Sequence, residues 1–116
     1  MSVTGSFQAT GKTIQITTSA ASANNITMLS DSPSMQYRFV NHAGQPVYVW
    51  ISPSTSPVNV AIPTGGDGKA GYAHVVPPNT QYVITGPQVG PDKSVLVSAQ
   101  SETGTPDIYI TPGYGR

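Results

Sequence analysis

The chain has 116 residues, of which five are basic, five acidic and none cysteine; the length fits one domain able to bury roughly two-thirds of its unfolded surface. Missing thiols exclude disulfides and thiolate metal sites. Charged residues make up 9 % of the chain, against about 25 % in ordinary globular domains, and Lys12, Arg38, Lys69, Lys93 and Arg116 form no basic stripe for nucleic acid.

Residues 1–11 contain Phe7 and little else apolar. They read as an N-terminal arm that either frays or docks on a neighbour, with Phe7 as its anchor. They lack the basic and apolar regions of a signal peptide. Residues 12–116 read as a single β domain. Over 12–18, Ile14 and Ile16 alternate with Thr13, Gln15 and Thr17; over 25–29, Ile26 and Met28 align. Over 35–40, Met35, Tyr37 and Phe39 alternate with Gln36, Arg38 and Val40. Over 47–51, Val47, Val49 and Ile51 alternate with Tyr48 and Trp50, so this strand is apolar on both faces. A period of two sends alternate side chains to opposite faces of a strand. Asn41-His42-Ala43-Gly44-Gln45-Pro46 between the last two runs is rich in chain-reversing residues. The segment predicts an antiparallel hairpin pairing Asn41 with Val47, which sets Arg38 opposite Trp50 in a cation–π pair. A strand apolar on both faces is expected inside a sandwich or against another subunit.

Residues 53–71 are irregular, because Pro53, Pro57 and Pro63 each remove a ladder donor; 58–62 is a candidate short edge strand. Runs at 73–76, 81–85, 94–100 and 107–111 complete the set, and residues 112–116 form an end as ambiguous as the arm. Seven or eight short strands separated by turns indicate an all-β, antiparallel sandwich. A jelly roll matches best, with an immunoglobulin-like sandwich as the alternative. No apolar run approaches the ~20 residues that cross a bilayer as a helix, so no membrane partner is expected.

Chemistry is sparse. His42 and His74 have no second ligand at helical or strand spacing, so both read as turn or surface residues and no metal or other cofactor is expected. The serines lack a Gly-x-Ser-x-Gly elbow. Asp31, Asp67, Asp92, Glu102 and Asp107 lie in or beside turns, where a carboxylate serves as a local acceptor. Residues 64–71, Thr-Gly-Gly-Asp-Gly-Lys-Ala-Gly, are not a phosphate loop: Pro63 stands where its first glycine belongs, and Ala70 follows the lysine. They read as a mobile loop that orders against a partner or simply connects. No enzyme is expected. Tyr48, Trp50, Tyr82 and Tyr109 are candidates for stacking sugars, and equally for protein interfaces.

The runs Gln36-Tyr37-Arg38-Phe39-Val40-Asn41 and Gly44-Gln45-Pro46-Val47-Tyr48-Val49 resemble the small head-decoration, or cement, proteins of tailed bacteriophages. Pro78-Asn79-Thr80 and Ile108-Tyr109-Ile110-Thr111-Pro112-Gly113-Tyr114-Gly115 are similar too. The resemblance implies a β-rich, non-enzymatic structural protein of the virion. It would be assembled in the host cytoplasm and bound to the major capsid protein on the capsid exterior. It implies no catalytic residues. A homo-oligomer is expected, a trimer favoured over a dimer, with Arg38, Tyr48, Trp50, Tyr109 and Phe7 as interface candidates. The alternative is a carbohydrate- or receptor-binding sandwich of a virion fibre or cell surface.

Overall fold

The computed structural model describes residues 8–9, 12–30, 35–87 and 93–114. Among them every regular element is a strand: β1 (Gln8–Ala9), β2 (Ile14–Thr17), β3 (Asn24–Ser30), β4 (Met35–Asn41), β5 (Val47–Pro53), β6 (His74–Val76), β7 (Thr80–Thr85), β8 (Lys93–Ser101) and β9 (Asp107–Tyr114). They form two sheets, antiparallel throughout. The first runs β1-β9-β4-β7, with β2 also on β9; the second runs β3-β8-β5-β6. Because β1 and β2 lie end to end along β9, the nine segments fill eight strand positions.

The alternating patterns decide which faces meet. Ile16, Tyr37, Phe39, Ile84, Ile108 and Ile110 of the first sheet pack against Met28, Val47, Val49, Ile51, Val76, Val95, Val97 and Ala99 of the second. Each buried aliphatic or aromatic side chain contributes about 1.5–3 kcal/mol relative to exposure. This apolar layer is what holds the two sheets face to face.

The predicted hairpin of 35–40 with 47–51 does not form. β4 pairs with β7 and β9, whereas β5 pairs with β6 and β8 in the other sheet. The reversing residues 41–46 turn the chain from one sheet to the other instead. Tyr37 and Phe39 on one strand and Val47 and Val49 on the next can then all enter one core. Asn41, wholly buried, holds the corner. Its Nδ2 donates to the carbonyls of Gln45 (2.9 Å), Val76 (3.2 Å) and Pro77 (3.2 Å), and its Oδ1 accepts the Ala43 N–H (3.0 Å). The Asn79 N–H reaches the Ala43 carbonyl at 3.2 Å, so the 41–46 and 77–79 links between the sheets brace each other. Asn79 itself is left-handed, with φ 53°, a conformation asparagine tolerates better than most residues.

Three expectations at the margins change as well. Gln8–Ala9, inside the expected arm, pairs with Tyr114 and Gly113. Residues 112–114, ambiguous in sequence, continue β9. Finally, 58–62 forms no strand.

Candidate functional site

The 54–73 segment lies over the outer face of the second sheet. Two outward hydroxyls, on Ser52 of β5 and Ser98 of β8, hook its backbone. Ser52 Oγ accepts the Val58 N–H at 2.9 Å, and Ser98 Oγ accepts the Val60 N–H at 2.9 Å. Asn25 Nδ2 donates to Asn59 Oδ1 (2.9 Å), and the Ser54 and Ser94 hydroxyls share a hydrogen bond at 2.7 Å. Val60 is thereby buried, as are Ser52 and Ser98. The double-sided apolar character of β5 thus has a cause within the chain, because its outer face is covered by the chain's own loop.

Beyond Val60 the segment leaves the sheet. The Ala61 N–H donates to the Tyr72 carbonyl at 2.9 Å and closes a neck. Gly71 fits this neck because a Cβ there would collide with the Ala61 carbonyl. Residues 63–70 are all exposed, and Gly65, Gly66 and Gly68 have positive φ, the conformation their missing side chains permit. The glycine-rich stretch is therefore a projecting loop on a fixed base. A depression of ≈ 570 Å³ opens at that base, lined by Ala20, Val60, Ile62, Thr64, Gln100 and Glu102.

Tyr48 and Trp50 both point to this outer face. Tyr48 Oη donates to Glu102 Oε1 at 3.1 Å. Burial, then the hydrogen bond to Glu102 and the repulsion of its charge, push the phenol above its ordinary value of 10.0. Trp50 stacks on His74 (centroids 4.9 Å apart, planes 15° apart) and meets Tyr72 at 5.3 Å and 56°. Tyr72 did not stand out in the sequence; its place directly after Gly71 and before a strand is the signal that could have marked it.

Arg38 and Tyr109 lie on the opposite side of the molecule. With Thr13, Val40, His42 and Thr111 they line a depression of ≈ 330 Å³ on the outer face of the first sheet. The Thr13 and Thr111 hydroxyls share a hydrogen bond at 2.8 Å, and the His42 and Tyr109 rings meet edge to face at 6.0 Å. Arg38 pairs in register with Val83 and Thr111, not with Trp50. The expected Arg38–Trp50 contact is thus replaced by two separate surfaces, because the strands bearing them belong to different sheets. Phe7 lies outside the described residues. Both histidines meet aromatic rings, His74 stacked and His42 edge to face, and among the described residues no group of three or more His, Cys, Asp or Glu gathers.

A third surface joins the two. β6 and β7, consecutive in the chain, form the edges of the two sheets on one side of the sandwich. Of the exposed large apolar side chains among the described residues, Val75, Tyr82 and Val83 belong to these strands and Tyr72 lies two residues before β6. No protein-family model matches the sequence, and no curated protein is significantly similar to it.

Proposed function

We propose that this chain is a non-enzymatic structural protein that decorates and cements the outer surface of a tailed-phage capsid. The observation that carries the reading is the anchored, projecting loop. A cement protein needs a rigid body and contact elements that reach neighbouring subunits. Here the base of the 54–73 segment is hooked to the sheet while residues 63–70 stand free of it. Loops on rigid scaffolds are the usual carriers of recognition. The resemblance of the 36–49 and 108–115 segments to head-decoration proteins points the same way. We also read the sandwich as a jelly roll: the orders β2-β9-β4-β7 and β3-β8-β5-β6 interleave early and late strands, as wrapping one long double ribbon around a core does.

In this reading the partner is the major capsid protein, bound from the outside after assembly in the host cytoplasm. The protein acts as a homo-oligomer. Several weak contacts made together raise avidity by roughly 10²–10⁴ without new contact types. The Trp50, Tyr72 and His74 rings favour one rival, a carbohydrate-binding module, since grouped aromatics also stack sugars.

One experiment separates the two. The purified protein is mixed with capsids stripped of decoration, with capsid precursors and with a glycan panel. Cosedimentation with capsids, accompanied by a rise in their melting temperature, is the expected result. Glycan binding without capsid affinity would replace the cementing reading with its rival.

A further inference from the structure

We infer that β7 is a self-association edge: two copies of the chain pair through it, antiparallel and about a two-fold axis, to make one continuous sheet. This inference stands apart from the capsid reading and holds for the protein in free solution.

An edge strand presents unpaired backbone donors and acceptors along one side, and natural proteins commonly blunt such edges with charges, prolines, bulges or shortness. Two of the other three edges here carry devices of this kind. β1 and β2 are short, two and four residues. β6 has only three residues. β3 is longer than β7 and equally neutral, but none of its described residues is an exposed large apolar side chain. β7 carries no such device. It runs for six uninterrupted residues, Thr-Gln-Tyr-Val-Ile-Thr, without charge or proline. Among the described residues β4 is its sole ladder partner. Tyr82 and Val83 are each 41 % exposed. Tyr72 and Val75 extend the exposed apolar surface along the same side of the sandwich.

The choice of a second copy follows from charge. In a two-fold pairing both strands carry the same net charge, so a charged strand repels its copy and a neutral one does not. A strand meant for a different partner has no such restriction, and this one is neutral throughout. The faces also match. An axis normal to the sheet keeps inner residues opposite inner ones, which requires residues of the same parity to pair. Centring the axis on Val83 pairs Val83 with Val83, Tyr82 with Ile84 and Gln81 with Thr85. Apolar meets apolar, and carboxamide meets hydroxyl. In this inference a two-fold pair takes the place of the trimer expected from the sequence.

The absence of cysteine makes the test clean. Facing residues in an antiparallel pair have Cβ atoms roughly 4.5–5.5 Å apart. Val83→Cys in the full chain is therefore expected to give a covalent dimer on mild oxidation or with a short bis-maleimide. Thr27→Cys, exposed on β3 and away from the proposed contact, is expected to give no covalent dimer under the same treatment. In sedimentation velocity the unmodified protein is expected to show a concentration-dependent mass of two chains. Val83→Lys, which sets two like charges on the axis, is expected to show the mass of one, and to melt as the parent does at dilutions where the parent is itself monomeric. A monomer at every concentration or a trimer would each overturn the inference. So would a dimer that survives Val83→Lys while Val83→Cys gives no cross-link.

Discussion

An amide has two N–H bonds to give, and Asn41 faces three carbonyls while accepting a fourth partner at its oxygen. Its surroundings therefore call for a donor. Asn41→Ala is expected to destabilise the protein by about 1–3 kcal/mol, the cost of leaving buried polar groups unmatched. Asn41→Asp should be worse at neutral pH, because a carboxylate turned towards carbonyls has nothing to donate. Its folded pKa would lie above the unfolded value of roughly 3.9. The stability is therefore present while the acid is protonated and lost as pH rises through the folded pKa. Urea unfolding at pH 7 and near pH 4 checks this: the gap between Asn41→Asp and the parent should narrow on the acid side. Tyr48 gives a second titration. Its phenol is raised by burial and by Glu102, so its contribution to stability is complete below its ordinary pKa of 10.0. It fades as pH climbs through the raised folded value. Glu102→Gln, which removes the charge, is expected to bring the Tyr48 titration back down, followed by ultraviolet difference spectroscopy of the phenolate. Asn41 was visible in the sequence only as a turn residue. Its three carbonyl partners come from two links about 35 residues apart, which no local pattern reveals.

At the scale of elements, the strands themselves were legible because the period of two is a local property. The runs read at 12–18, 35–40, 47–51 and 107–111 coincide, to within a few residues at their ends, with β2, β4, β5 and β9, and Ile14, Ile16, Tyr37, Phe39, Val47, Val49, Ile108 and Ile110 face the core as that alternation requires. The 58–62 run misled, since Val58, Val60 and Ile62 alternate as a strand would. What decides its fate is a pair of hydroxyls, Ser52 six residues before Val58 and Ser98 on a distant strand, that take its N–H groups in place of a ladder. Ser98→Ala, which deletes one hook, is expected to speed hydrogen exchange at the Val60 amide by roughly tenfold, the equivalent of one net hydrogen bond. Exchange in β8 should change little. Gly71→Ala tests the neck: the added methyl strikes backbone, not a yielding side chain. Limited proteolysis should then cut within 62–71 faster than in the parent, while the far-ultraviolet spectrum of the sandwich is preserved.

For the molecule as a whole, composition and strand count were enough to identify two packed antiparallel sheets, but not which strands share one. Among the described elements, β5 and β6 alone are both consecutive in the chain and paired. Every other consecutive pair, β1 and β2 apart, is split between the sheets, and partners such as Asn24 and Ala99 or Gln15 and Tyr109 lie far apart in sequence. The reading of 35–51 as a hairpin failed for this reason. A reversing link looks the same whether it returns the chain to its own sheet or carries it across the core. The surfaces inherit the same difficulty, since Arg38 and Trp50 were placed together by a register that the topology does not contain. The neck at Ala61 and Tyr72 has a further meaning for the whole. It brings the two ends of the 62–71 excursion side by side, so the sandwich is insulated from whatever the excursion contains. Lengthening a loop already closed in this way costs only about 0.6 kcal/mol per doubling of its length. A foreign peptide placed between Gly66 and Asp67 should therefore leave the thermal unfolding transition nearly unmoved, making this chain a carrier whose cargo site is built into its own architecture.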